Sequence, residues 1–254
     1  MIEPWAPGGR WRIERHVEID STNAEAARQA KAGAAAGLAV TARAQTQGRG
    51  RGDRVWSTAG QDLALSILLR PALAPSAAAT VGFVAALAVY DLAKSLLPAD
   101  APVAIKWPND VMIGDAKLSG ILAEASGAGP TVDWLVLGIG VNLVPTDRPG
   151  AANPIDLTTA GGPTLDPDDA ADRLLGHLNP WLAQWLGQGF APIRAAWLAR
   201  ARDIGRQVIA RLPNELVAGQ ALDLADDGAL VLALPDGRRR RIAAGDVFPL
   251  TKDV

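Results

Sequence analysis

Hydrophobic and polar positions alternate with two periods along this chain, and the changes of period mark its elements. Residues 17–20 alternate as a short strand and run into Ser21-Thr22-Asn23-Ala24-Glu25, after which Ala, Arg and Gln dominate to residue 36. Thr22 and Glu25 fit a capping box, so a helix is predicted to start there. Residues 38–44 read as a strand. Residues 63–70 are apolar in character, which predicts a strand covered on both faces, and Pro71 stops it. The longest apolar tract, 77–93, is rich in Ala, interrupted by Gly82 and closed by Asp91. With Pro75 near its start it predicts a buried helix ending before Pro98.

Residues 103–113 would be a strand but for Pro108, which cannot donate to a central ladder. The strand should break or bulge there and turn out Lys106, Asn109 and Asp110. Gly114-Asp115 supplies a tight turn, and residues 117–124 return as the antiparallel partner. Residues 132–141 predict another buried strand, 145–167 a loop, and 168–186 and 192–201 two helices whose Trp181, Trp185 and Trp197 are core or interdomain contacts. From Asp203 the pattern becomes short strands with tight turns at Pro213-Asn214, Asp226-Asp227-Gly228 and Pro235-Asp236-Gly237. Roughly fifty residues of that kind suit a small closed barrel of the SH3 type. The fold class is therefore α+β: a mixed or antiparallel sheet with packed helices over residues 1–202, and a small β domain over 203–254.

Composition narrows the chemistry. The chain has 254 residues, 49% hydrophobic and 20% charged, enough for a sizeable core. A net charge of −2 argues against a nucleic-acid binder as a whole, although a local basic loop survives that argument. There is no cysteine, and His16 and His177 are the two histidines, so thiolate, His-metal and Ser-His-Asp chemistry have little to draw on. Lys, Arg, Asn, Gln and carboxylates must carry the reaction. Residues 1–15 contain no apolar run of the kind a signal peptide or membrane span needs, and the chain is read as cytoplasmic.

The stretch Gln45-Thr46-Gln47-Gly48-Arg49-Gly50-Arg51-Gly52-Asp53-Arg54-Val55-Trp56 is the part least able to fold for its own sake. Glycine at 48, 50 and 52 frees the backbone, and Arg49, Arg51 and Arg54 line it with charge. It is expected to be mobile, its guanidiniums repelling one another until a polyanion such as a triphosphate orders it. The alternative is a solvated connection. The run fits neither a Walker loop nor G-x-G-x-x-G, and Arg51-Gly52-Asp53 matters as an adhesion tripeptide only outside the cell.

Other candidates follow in order. Ser21, Thr22 and Asn23 exceed what one cap uses, so the surplus hydroxyl and amide could face a urea or carboxylate. Lys117 leads an apolar strand, an edge charge if taken alone, but the hairpin brings it near residues 107–110. Gly138-Ile139-Gly140-Val141-Asn142 fails as a dinucleotide fingerprint, since Leu143 holds the third glycine position and Pro145 forbids the helix. Close backbone approach of a ligand is the better reading, with Asn142 reading a base edge or hydroxyl. Arg238 to Arg241 reads first as a solvated basic strand, and second as a contact for the active-site ligand or an acidic partner.

Taken together, Ser21-Thr22-Asn23, the glycine-arginine loop with Arg54 and Trp56, Lys106-Trp107-Pro108-Asn109-Asp110, Lys117-Leu118-Ser119-Gly120-Ile121-Leu122 and Gly138-Ile139-Gly140-Val141-Asn142 resemble the biotin protein ligases in identity, order and spacing. The resemblance covers essentially the whole chain. It implies a class II synthetase-like catalytic domain with an SH3-like C-terminal domain. It also implies ligase activity: biotin and MgATP give biotinyl-5'-adenylate and pyrophosphate, and biotin then passes to a lysine of a biotin carboxyl carrier protein. Twenty residues precede Ser21, fewer than an operator-binding domain needs, so a ligase without repressor activity is expected. Neither nucleic acid nor membrane is an expected partner, and the chain would be a monomer or homodimer.

By the same resemblance, Ser21, Thr22, Asn23 and Gln45 hold biotin's ureido head, and Arg49, Gly50 and Arg51 fold over its tail and the phosphates. Lys117 grips the carboxylate and α-phosphate. Arg51, Arg54, Trp56, Asn109 and Asn142, with Lys117, meet ATP, and Asp110 sits near the metal or the incoming amine. The catalytic set is then Lys117, Arg49, Arg51 and Asp110. A lipoate ligase or octanoyl transferase relative is the alternative in the same chemistry, and a non-enzymatic nucleotide-binding module the alternative outside it.

Overall fold

The computed structural model describes residues 9–52, 54–56, 60–148, 150–151 and 153–250. Asp53 of the adhesion-like tripeptide, residues 57–59 of the polar turn before the strand expected from Leu63 and the first eight residues of the N-terminal segment lie outside the described residues.

Seven strands, β1 (Arg12–Ile19), β2 (Leu38–Gln45), β3 (Leu63–Leu69), β4 (Val103–Lys106), β5 (Asp110–Ile113), β6 (Ala116–Ser126) and β7 (Trp134–Val141), form one sheet in the order β1-β2-β3-β7-β6-β5-β4. Only β1 and β2 are parallel, joined by helix α1 (Thr22–Lys31), so the sheet is mixed. Helix α1 buries Ala26 and Ala30 against Leu38, Val40, Leu68 and Val136 on one face. The other face, with Ala39, Leu65, Ile67 and Leu137, packs on α3 (Val81–Leu96) and α4 (Pro167–Gln188). Both faces being covered, every residue of β3 is buried. The apolar stretch Pro75–Leu96 is long enough to cross a membrane, yet its window is 67% inside protein and forms the core.

Several boundaries move for physical reasons. The cap of α1 is Ser21, whose side chain accepts from the Ala24 N–H, one residue before the capping-box reading places it. The helix ends at Lys31 rather than near 36, because Gly33 at φ +91° turns the chain away. The long helix divides into α2 (Pro75–Ala78) and α3. At Pro108 the strand does more than bulge: a cis Trp107-Pro108 bond sits in a tight turn, and β5 folds back antiparallel on β4 with Lys106 opposite Asp110.

Helix α5 (Phe190–Leu198) leads into β8 (Gln207–Arg211), β9 (Leu216–Leu224), β10 (Leu230–Ala233), β11 (Arg239–Ile242) and β12 (Asp246–Pro249). These form a separate antiparallel sheet in the order β11-β10-β9-β8-β12, the small C-terminal β domain that the run of short strands and tight turns predicts. Its apolar face, with Val208, Ala210, Leu224, Leu232 and Val247, joins the same core as the large sheet. Trp107 Nε1 donates to the Gly228 carbonyl at 3.0 Å across this junction.

Arg238 to Arg241 is a basic strand, but its charges go to its own turns: Arg238 to Asp236, Arg240 to Glu215 and Arg241 to Asp227. The solvated reading holds, and these three arginines are spoken for locally.

Candidate active site

Strand β7 runs through the centre of the large sheet and orders everything above it. From Gly138 to Asn142 it spans about 13 Å at the usual rise per residue. A polar cluster meets one end and a charged cluster the other.

At the Gly138 end, Thr22 N and Oγ1 donate to Gln45 Oε1 at 2.8 and 3.1 Å. Ser66 Oγ lies 2.8 Å from Thr22 Oγ1 and 2.5 Å from Asn23 Oδ1, and Asn23 Nδ2 donates to Glu124 Oε2 at 2.8 Å. Ser21, Thr22, Asn23 and Ser66 are all buried. A Cβ at residue 138 would lie 2.1 Å from Asn23 Oδ1. The glycine thus admits a protein amide, and at Gly140 the intruder is the Trp56 indole. Both glycines also line the cavity, so the close backbone approach expected there is already made in part by Asn23 and Trp56.

At the other end, Lys117 Nζ lies 2.6 Å from Asp110 Oδ1. Simple alternation would put Lys117 and Gly120 on opposite faces of β6. A bulge between Val111 and Met112 shifts the register by one residue, and Lys117 Nζ comes to 3.3 Å from where a Gly120 Cβ would stand. The Trp56 ring lies 3.1 Å from the same point. Asn142 is buried and donates through Nδ2 to the Lys117 and Ile155 carbonyls at 3.1 and 2.8 Å.

The glycine-arginine loop closes over the sheet as a narrow turn, with Gly50 N–H to Arg54 O at 2.7 Å and Trp56 N–H to Gly48 O at 3.0 Å. Gly48 has to be glycine, since its Cβ would fall 2.1 Å from the Trp56 carbonyl oxygen. Each of its arginines has an acceptor at hand, and two of them converge on one carboxylate, Arg51 Nη2 lying 3.8 Å from Oδ1 of the Asp246 that Arg54 also contacts. Arg49 pairs with Glu124 at 2.7 Å, Arg51 donates to Asn109 Oδ1 and Gly245 O at 2.8 Å each, and Arg54 pairs with Asp246.

Lys106 lies beside this group with its Nζ 5.0 Å from the centre of the Phe248 ring, and burial pushes its pKa down. Burial likewise pushes the nearby Asp203 carboxyl up. The whole arrangement surrounds a cavity of about 930 Å³. Ser21, Thr22, Asn23, Gln45, Arg49, Gly50, Arg51, Arg54, Trp56, Asn109, Asp110, Lys117 and Asn142 all line it.

A model of the biotin/lipoate A/B protein ligase family matches residues 17–142, and one of the biotin protein ligase C-terminal domain matches residues 203–248. A biotin--[acetyl-CoA-carboxylase] ligase of Paracoccus denitrificans is 43% identical over 91% of this chain and 98% of its own. The chain belongs to the biotin/lipoate A/B protein ligase family. A bifunctional ligase/repressor of Bacillus subtilis is 32% identical over 75% of this chain, which spans 60% of that relative. The fold of the Aquifex aeolicus biotin protein ligase, in a structure with biotin and ATP, superposes with a TM-score of 0.74 at 24% identity, covering 93% of this chain and 97% of that one.

In this ligase the structure also recruits residues that sequence motifs passed over. Ser66 and Glu124 complete the polar cluster, and the one signal for Ser66 is a hydroxyl inside an otherwise apolar strand. Asp246 and Phe248 come from β12 of the small sheet, where nothing local marks them. Among the described residues no group of three His, Cys, Asp or Glu side chains is arranged for a metal ion. The carboxylates at the ligase's site are paired with cations: Asp110 and Asp246, which line the cavity, with Lys117 and Arg54, and Glu124 of the polar cluster with Arg49.

Proposed function

We propose that this chain is a biotin protein ligase that adenylates biotin with MgATP and transfers it to a lysine of an acceptor protein. The observation that carries this reading is the separation, along one strand, of a polar cluster, buried Ser21, Thr22, Asn23 and Ser66 with half-buried Gln45, from the Lys117 ammonium. That geometry suits an elongated acid with a hydrogen-bonding head. A lipoate dithiolane ring offers no hydrogen-bonding groups to such a cluster, so it forgoes the bonds that biotin's ureido head can make there. Biotin is therefore favoured over lipoate.

In the first step the biotin carboxylate attacks the α-phosphorus and pyrophosphate leaves. Two like charges about 4 Å apart cost on the order of 4 kcal/mol at an effective dielectric of 20, so cations must be present before the reactants meet. Lys117 supplies one at the carboxylate and α-phosphate, and Arg49 and Arg51 supply others from the loop. Binding of the polyanion draws Arg49 away from Glu124, and Arg51 and Arg54 away from Asp246. Trp56, Arg54, Asn109 and Asn142 complete the nucleotide side, and magnesium arrives with the nucleotide. The loop with Gly50 then covers the mixed anhydride and excludes water.

In the second step the acceptor amine attacks the adenylate's carbonyl carbon and AMP leaves. A lysine amine with an ordinary pKa of about 10.4 must lose a proton, and Asp110 accepts it. We assign residues 1–202 to the catalytic domain and 203–254 to a C-terminal domain, and a biotin carboxyl carrier protein as the acceptor. The deciding assay mixes protein, MgATP and either biotin or lipoate and measures pyrophosphate. Release with biotin alone is expected; silence with biotin overturns the reading.

A further inference from the structure

Outside every motif, Asp62 and Arg148 form a buried ion pair, their side chains 0% and 8% exposed. Arg148 Nη2 donates to Asp62 Oδ1 and Oδ2 at 2.7 and 2.9 Å, and Nε to Oδ2 at 3.1 Å. The same carboxylate accepts the Leu143 N–H at 2.9 Å. The guanidinium also donates to carbonyls of its own loop, Nη2 to Val144 at 2.7 Å and Nη1 to Thr146 at 3.3 Å. One buried cation thus gathers the chain leaving β7 into a turn and ties it to the start of β3.

Five residues after Arg148, the same loop clamps the backbone of Lys117. The Lys117 N–H donates to Asn153 O at 2.8 Å, and Ile155 N–H donates back to Lys117 O at 3.0 Å. Arg148, Asn153 and Pro154 also line the cavity beside Lys117 and Asn142. Desolvating two charges roughly cancels their attraction, so such a pair is a poor source of stability and a good source of geometry.

We propose that Asp62 and Arg148 are positioning residues for the nucleotide end of the site: they anchor the loop that holds Lys117 and walls the cavity there. This rests on the ligase reading. The pair lies at the opposite end of β7 from the Thr22, Asn23 and Gln45 cluster, so it acts more strongly on ATP than on biotin, which meets this end only through its carboxylate at Lys117.

The test measures pyrophosphate release by the full chain, with thermal midpoints alongside. Asp62→Asn strands the Arg148 charge and is expected to lower the midpoint and raise the KM for ATP by about tenfold, with a clearly smaller rise, of about threefold or less, in the KM for biotin. The double variant Asp62→Leu with Arg148→Met removes both charges and should recover the midpoint while the KM for ATP stays high. Arg148→Lys keeps the charge, loses the fork to the loop carbonyls, and should also raise the KM for ATP. Recovery of wild-type ATP kinetics in the double variant, wild-type ATP kinetics in Arg148→Lys, or equal rises in both KM values would overturn the assignment. A wild-type protein silent with biotin sinks the ligase reading instead.

Discussion

The indole of Trp56 rests on the backbone of Gly140, so closely that a Cβ there would stand 2.1 Å from Cε2 and 2.3 Å from Cζ2. No side chain shares that space. Gly140→Ala must push the ring off the sheet, and with it the end of the arginine loop, since Trp56 N–H is bonded to Gly48 O. Overpacking of this kind costs about 1–3 kcal/mol, which, if lost from transition-state binding, corresponds in kcat/KM to a loss of roughly fivefold to 150-fold. Unchanged kinetics in this variant would show that the ring is not needed at that position.

Lys117 and Asp110 are in contact, but they are assigned to different steps, and kinetics can separate them. Lys117→Gln removes a preorganised cation and is expected to slow adenylation by about 10²–10³. Asp110→Asn should slow transfer from preformed biotinyl adenylate by about 10²–10⁴, the range for losing a general base. Transfer at the wild-type rate in Asp110→Asn removes the base role from that residue.

Trp107 belongs to the motif around Pro108, yet its indole N–H is spent on the small sheet, at the Gly228 carbonyl. Trp107→Phe keeps most of the ring and strands that buried acceptor. A loss of about 1–3 kcal/mol is expected, read as a lower urea midpoint with an unchanged m-value. An unshifted midpoint means that the bond contributes nothing.

Asp20 links β1 to α1: it pairs with Arg28 at 2.7 Å, and Ser21 N–H donates to it at 2.7 Å. The Arg28 hydrogen bond draws its pKa down from 3.8 to about 2. A folded pKa below the unfolded one means the unfolded chain takes up the proton first as pH falls. The contribution is therefore complete above 3.8 and lost on the way down to about 2. Acid titration of stability should show less loss over that window in Asp20→Asn than in wild type. Identical slopes would remove the linkage.

How much of this was written in the chain differs from element to element. The uniform burial of Leu63–Leu69 was visible as an apolar run, because a strand covered on both faces needs nothing else. Turns at Asp226-Asp227-Gly228 and Pro235-Asp236-Gly237 were visible because turn geometry is a local property of those residues. The face on which Lys117 lies was not, since a bulge opposite Val111 and Met112 reverses it. Nor was the purpose of Gly138 and Gly140, whose neighbours Asn23 and Trp56 lie far back in the chain.

By itself the sequence determined the elements, their covered faces and the supply of chemistry: a run of small polar groups, three loop arginines, one hairpin lysine. These depend on periodicity, turn residues and residue type, all local. Only the tertiary structure decided which carboxylate neutralises which cation, that Asp246 and Phe248 of the small sheet reach the cavity, and that Asp62 and Arg148 anchor its wall. Electrostatic pairing acts over a few ångströms in space, and residues that meet at that distance here are separated by dozens or hundreds of positions along the chain.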